Sequence, residues 1–225
     1  MSKKAVFFDL DNTLYDYSSY YAGVLKKVGQ YLSAKCHVSR RKVYLVGMKL
    51  LREKTSRYPR LFNELLKALN VPESEVSTCL NIFDGFSGKI KPYDDVIPVL
   101  KILKNAGVVL GIITDGNPRR QSRKIKSLNL SKFFDVIVFS YELGRAKPSK
   151  EPYEYALKVT KASQAYYVGD DPRFDFKGAK EVGMTTIRIL RGEFVNVNSN
   201  KYVDYEIRGL HEVVRLVLGG GREKQ

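Results

Sequence analysis

Two carboxylates stand two residues apart in the run Asp9-Leu10-Asp11-Asn12-Thr13-Leu14-Tyr15-Asp16. At the end of a strand they point the same way, and like charges that close are costly unless a cation neutralises them. A small number of hard oxygen ligands, with room for water and phosphate oxygens, suits Mg²⁺. A carboxylate is also a nucleophile towards phosphorus. A second one beside it could protonate the leaving oxygen and later activate water.

Three further stretches carry groups that such chemistry needs. Ile113-Thr114-Asp115-Gly116-Asn117 ends an apolar run with a hydroxyl and then enters a helix, whose first backbone N–H groups form a phosphate cradle. Gly116 permits the tight turn, and Asn117 either lines the pocket or caps the helix. Lys147-Pro148 would set a positive charge beside the phosphate and the nucleophile, with proline fixing the backbone ahead of a helix. In Gly169-Asp170-Asp171-Pro172-Arg173-Phe174-Asp175, Asp170 and Asp175 straddle a turn and a helix start, able to hold a metal from the side opposite Asp9. Gly178 and Ala179 allow close helix packing. Taken singly, an acidic strand end can be a helix cap and a lysine is usually solvated. Those plainer readings leave unexplained why three strand ends and a lysine converge.

Convergence requires a parallel sheet. Short β-branched or aromatic runs at 4–10, 108–113, 136–139, 165–168 and 185–189 read as buried strands. Helical periodicity fills 96–106, 118–128, 151–161 and 176–182 between them, so the alternation predicts right-handed crossovers and an α/β core. Ligands of such sheets bind outside the carboxyl ends of the strands. The stretch 17–90 breaks the rhythm. Tyr17, Tyr20, Tyr21, Val24, Leu25, Val28, Tyr31 and Leu32 follow a 3-and-4 spacing, and 43–51, 61–69 and 73–86 continue it, with Pro59 and Pro72 at the joins. The tyrosine stripe reads as core packing. A last edge strand is expected at 202–205, a last helix at 209–218 and an unstructured tail at 219–225.

The 225 residues suffice for one sizeable core with a smaller partner domain. No apolar run approaches the roughly 20 residues of a membrane span. Asp9 and Asp11 cut the N-terminal apolar run too short for a signal peptide, which predicts a cytoplasmic protein with no membrane partner. Cys36 and Cys79 lack a second cysteine or a histidine at ligand spacing and read as reduced thiols. The net charge of +15 fits attraction to anionic ligands. Its short clusters, Arg40-Arg41-Lys42 and Arg119-Arg120 with Arg123, Lys124 and Lys126, carry no nucleic-acid motif and read as solvated surface, so nucleic acid is not expected as the main partner.

Asp9-Leu10-Asp11-Asn12-Thr13-Leu14, Thr114, Lys147 and Gly169-Asp170-Asp171…Asp175 match, in order and spacing, the four motifs of the haloacid dehalogenase superfamily. The resemblance spans nearly the whole chain. It implies a Rossmann-like core from 1–16 and 91–225, with an α-helical cap domain, 17–90, inserted after strand one. It implies Mg²⁺ as cofactor and a small phosphorylated metabolite as partner. Asp9 would be nucleophile and metal ligand. Asp11 would be general acid/base, with its backbone carbonyl on the metal. Thr114 would bond the phosphate, together with Asp115, Gly116 and Asn117 around the cradle. Lys147 would stabilise Asp9 and the transferring group. Asp170 would ligate the metal and Asp175 would do so directly or through water; Asp171 stands where relatives are often not acidic.

Other reactions share these motifs. The carbon–halogen branch lacks an acid at the place of Asp11, so Asp11 favours phosphoryl chemistry. The phosphonate branch needs a cap lysine, and none of Lys26, Lys27 and Lys35 stands out as a buried amine. A phosphomutase would use the same aspartyl-phosphate. A phospho-accepting module without turnover would need neither the acid nor the large helical insertion.

Overall fold

The apolar runs form a six-stranded sheet in the computed structural model, which describes residues 3–219. Its strands are β1 Lys4–Phe8, β2 Val109–Thr114, β3 Val136–Phe139, β4 Gln164–Gly169, β5 Thr185–Ile189 and β6 Tyr205–Ile207. All pair in parallel, in the order β3-β2-β1-β4-β5-β6. Parallel strands are covered on both faces, which is why β1, Lys-Ala-Val-Phe-Phe, is almost unbroken apolar sequence. Because β1 lies between β2 and β4, the chain winds one way through β2 and β3 and the other way through β4, β5 and β6. The reversal leaves a crevice at the carboxyl ends of β1 and β4.

Side chains alternate across the sheet. Ala5 and Phe7 face the side where Ile113, Val138, Tyr153, Tyr167, Phe176 and Met184 are packed. Each of the Val, Ile, Phe and Met side chains among them contributes roughly 1.5–3 kcal/mol by leaving water. Gly111 lets β2 approach Phe7: a Cβ there would lie 2.5 Å from Phe7 Cδ1.

Two strand ends, those of β1 and β6, differ from the sequence expectation. β1 stops at Phe8; the Asp9 N–H still bonds Val168 O at 2.8 Å, but Asn12 with φ 60° then turns the chain. The edge strand β6 starts at Tyr205 rather than 202. Residues 202–204 are tied to Thr186 by side chains instead, Thr186 Oγ1 donating to Tyr202 O at 2.6 Å and Asp204 Oδ2 accepting the Thr186 N–H at 3.0 Å. Of the tail expected at 219–225, everything past Gly219 lies outside the described residues.

The chain divides into two compact units, Met1–Asp16 with Lys91–Gln225, and Tyr17–Ile90. The second unit holds α1 Tyr17–Cys36, α2 Arg40–Lys54, α3 Leu61–Ala68 and α4 Val76–Gly85. The segment expected as one helix over 73–86 opens instead with a separate 3₁₀ turn, Glu73–Glu75. Tyr17, Tyr20, Tyr21, Val24, Leu25, Val28 and Leu32 of α1 are buried, so the tyrosine stripe is core. Tyr20 meets Phe83 and Phe86 edge to face and donates its hydroxyl to Phe83 O at 3.0 Å. Gly47 lets α2 lie close to Leu25. Cys36 and Cys79 are free thiols on α1 and α4.

The first unit adds α5 Val96–Asn105, α6 Pro118–Ser127, α7 Glu151–Thr160, α8 Lys177–Glu181 and α9 His211–Leu218. Its chain leaves at Tyr15 and returns at Pro92, and these two residues form an antiparallel bridge, with the Tyr93 N–H donating to Leu14 O at 3.0 Å. Among the described residues no helix is long and apolar enough to cross a membrane.

Candidate active site

Asp9 follows β1 directly and is 7 % exposed. Lys147 reaches it from the loop between β3 and α7; the Lys147–Pro148 peptide is cis. The buried ammonium donates to Asp9 Oδ1 at 2.6 Å, to Asp175 Oδ1 at 2.6 Å and to the Tyr167 hydroxyl at 3.0 Å. All three N–H donors of the lysine are therefore committed. Asp175 in turn shapes the turn after β4, since its Oδ2 accepts the N–H groups of Asp170 at 3.1 Å and Asp171 at 2.9 Å. Its backbone carbonyl accepts the Tyr153 hydroxyl at 2.6 Å. Gly169 leaves room for this carboxylate: a Cβ would stand 2.6 Å from Asp175 Oδ2.

The electrostatics follow from burial and proximity. Burial pushes Asp9 up; Lys147 pulls it back, Asp175 and Asp11 push again, and the carboxyl is raised to about 7. Burial, then the charges of Asp175 and Asp9, hold Asp170 well above the usual carboxylate range. For Lys147 burial acts downwards, but Asp175 and Asp9 outweigh it and keep the ammonium charged well past its ordinary value.

Asp11 has a separate set of partners. Its oxygens accept from Lys124 Nζ at 2.7 and 2.8 Å, from Gln121 Nε2 at 3.2 Å and from the Tyr15 hydroxyl. Burial alone would raise Asp11; Lys124 and these hydrogen bonds hold it below the usual range. The same Gln121 amide donates to Thr114 Oγ1 at 2.7 Å. Thr114, at the end of β2, is buried.

The turn after β2 is held by its own side chains. The Asp115 carboxylate accepts from Ser140 Oγ and from the Lys147 N–H, the latter at 3.1 Å, and so ties the β2 turn to the lysine loop. Gly116 has φ 104°, a conformation that favours glycine. Asn117 caps α6, its Oδ1 accepting the N–H groups of Arg119 at 3.0 Å and Arg120 at 3.4 Å, with Pro118 at the first helical position. Arg119 is exposed and Arg120 half-buried. Asp171 turns both oxygens to the Arg173 guanidinium at 2.9 and 3.0 Å.

Asp9, Asp170 and Asp175 each offer a carboxylate oxygen within 4.8 Å of the others. Asp170 Oδ2 is buried and has no hydrogen-bond partner among the described residues. Three buried acids face one lysine, so ionising all three leaves an uncompensated double negative charge. An all-oxygen donor set of that charge fits Mg²⁺. The carboxylates of Asp11 and Asp171 are not members of this cluster.

Gln121, Lys124, Tyr167 and Ser140 escaped the sequence reading. Lys124 stands in a cluster that reads as solvated surface, yet it is 2 % exposed. The signal was present in α6: Gln121, Lys124 and Ile125 are buried at helical spacing, with Leu128 just beyond, which puts an amide and an ammonium on an otherwise apolar stripe. Tyr167 and Ser140 carried no such mark, because nothing in a strand sequence says which hydroxyl meets a lysine.

A model of the haloacid dehalogenase-like hydrolase family matches residues 3–183. The glyceraldehyde 3-phosphate phosphatase of Methanocaldococcus jannaschii is 34% identical over 221 residues, covering 95% of this chain and 96% of that protein. The ribulose-1,5-bisphosphate 5-phosphatase of Halopiger xanaduensis is 27% identical, covering 81% of this chain and 83% of that protein. The crystal structure of a HAD phosphatase from Thermococcus onnurineus aligns with a TM-score of 0.67 at 30% identity, covering 98% of this chain and 100% of that one. The chain belongs to the haloacid dehalogenase-like hydrolases and is a phosphoric monoester hydrolase of that family.

Proposed function

We propose that this hydrolase is magnesium-dependent and moves the phosphoryl group of a small phosphomonoester first to Asp9 and then to water. The observation that carries the reading is the buried Asp9, Asp170 and Asp175 cluster, with Lys147 on the Asp9 carboxylate. In the first step an Asp9 oxygen attacks phosphorus in line; the bond to the leaving oxygen breaks and Asp11 gives that oxygen a proton. The negative charge of an arriving phosphomonoester favours the protonated form of Asp11 that this step needs. In the second step Asp11 takes a proton from water, whose oxygen attacks phosphorus and frees Asp9. Lys147, the Thr114 hydroxyl and the backbone N–H groups of Asp115, Gly116 and Asn117 hold the non-bridging oxygens. The side chains of Asp115 and Asn117 are engaged elsewhere, so only their main chain serves the anion. Bound Mg²⁺ would neutralise charge between the carboxylates and the phosphate. Asp9, the Asp11 carbonyl and Asp170 would hold it, with Asp175 acting directly or through water.

The unit Tyr17–Ile90 is assigned as the family's cap domain, and its side chains as the source of substrate choice. The relatives named glyceraldehyde 3-phosphate phosphatases point to a triose phosphate as substrate. The test is phosphate release from a panel of phosphorylated metabolites with Mg²⁺ and with chelator. Magnesium-dependent turnover is expected, with glyceraldehyde 3-phosphate among the best substrates. Release that chelator leaves unchanged, or none from any member, defeats the reading.

A further inference from the structure

We infer that Gln121 and Lys124 are positioning residues that clamp Asp11, and with it Thr114, in the orientation needed to protonate the leaving oxygen. The inference rests on the phosphatase reading above.

Packing does not explain Lys124. Burying an ammonium costs several kcal/mol unless it is paired, and an apolar side chain of similar volume often serves stability as well or better. Yet the Lys124 side chain is 1 % exposed on the inner face of α6, and its Nζ spans both oxygens of Asp11. Asp11 itself keeps 27 % of its side-chain surface open. The lysine thus grips the carboxylate from within the protein, while part of the Asp11 side chain stays open to solvent.

Gln121 adds a second constraint. A carboxylate can only accept, so the amide must turn Nε2 towards Asp11. That one nitrogen joins Asp11 Oδ2 to Thr114 Oγ1, linking groups delivered by β1 and β2. The opposite amide oxygen, Oε1, is buried without a hydrogen-bond partner among the described residues, a cost accepted to keep this direction. With Tyr15 also on Oδ1, Asp11 has little rotational freedom left. The clamp is anchored, because α6 starts from the Asn117 cap and Pro118. Misplacing an acid by about 1 Å costs on the order of 100-fold in rate.

The test separates a positioning role from a merely structural one by the leaving group. In magnesium-saturated single turnovers, alcohol release is followed from 4-nitrophenyl phosphate, whose leaving group needs little protonation, and from an alkyl phosphate, whose leaving group needs it fully. General acid catalysis is worth about 10²–10⁴-fold. In Lys124→Met the alkyl rate is expected to fall at least about 20-fold further than the aryl rate, with the substrate dissociation constant changed by less than about 3-fold. Gln121→Met should show the same asymmetry at about 5-fold, and it carries the test alone if Lys124→Met does not fold. Equal losses on both substrates, or no loss, overturn the inference. A wild-type enzyme that releases neither alcohol instead removes the phosphatase reading beneath it.

Discussion

The Lys147 ammonium lies 2.6 Å from Asp9 Oδ1, with its side chain wholly buried and the Asp9 side chain 10 % exposed. The same nitrogen neutralises Asp175, so the lysine is the shared counter-ion of two buried carboxylates. Lys147→Met strands both. Breaking a buried pair by removing one partner costs about 3–5 kcal/mol, and that loss is expected in chemical denaturation of metal-free protein at pH 8. Phosphate release should fall on the order of 100-fold or more, since the charge proposed to face the reacting phosphate is lost.

Asp9→Asn separates activity from stability. The amide cannot form the acyl phosphate, so turnover should drop by roughly 10⁴-fold or more. The amide also carries no buried charge next to Asp170 and Asp175, and metal-free stability at pH 8 should hold or rise. Steady-state kinetics and thermal melts on one preparation check both halves. Near-wild-type turnover would remove Asp9 from the role given to it.

On the proposed reading, metal and protons compete at this site. Burial and neighbouring acids raise Asp9 from 3.8 to about 7 and lift Asp170 as well. Between those two values the folded chain holds more protons than the unfolded chain, so metal-free stability falls as pH rises through the window. Lys147 is held above its ordinary value of 10.5, and its stabilising contribution is lost only at more alkaline pH, so it does not reverse the trend. Magnesium at about 100 times its dissociation constant adds roughly 2.7 kcal/mol. The Tm gain from magnesium is thus expected to reach about 5–10 °C at pH 8 and to shrink towards zero at pH 5. A gain independent of pH would contradict this placement of the ion.

Gly178 of α8 faces the lysine loop. A Cβ there would stand 2.6 Å from both Pro148 O and Ser149 O, backbone atoms that cannot swing aside. Gly178→Ala is expected to destabilise by about 1–3 kcal/mol, and to lower kcat because the displaced loop carries Lys147. Denaturant titration and steady-state kinetics measure the two effects.

The sheet and the strand-end groups Asp9, Thr114 and Asp170 were legible because each sits at a point the pattern itself marks, where an apolar run stops. Thr114 closes β2, while Asp9 and Asp170 follow β1 and β4 directly. The partners of these groups were harder to read. Lys124 stands in a basic stretch whose average character is that of a surface, and only its position on the apolar stripe of α6 betrays it. Asp115 and Asn117 read as pocket residues because they adjoin Thr114, yet one braces Ser140 and the Lys147 loop while the other caps a helix. Chain adjacency gives the neighbourhood of a side chain; its direction depends on backbone turns, such as the positive φ of Asn12 and Gly116, that a sequence shows only weakly.

The bridge between Tyr15 and Pro92 has a consequence for how such chains diversify. Everything from 17 to 90 hangs from two points that already touch, so its length adds almost nothing to the entropy of closing that loop: each doubling costs only about 0.6 kcal/mol. Strand β1 would fold much the same with a longer, shorter or foreign segment grafted at this port. If the insert selects the substrate as proposed, new specificities can be acquired by exchanging it while the strand-end carboxylates stay untouched.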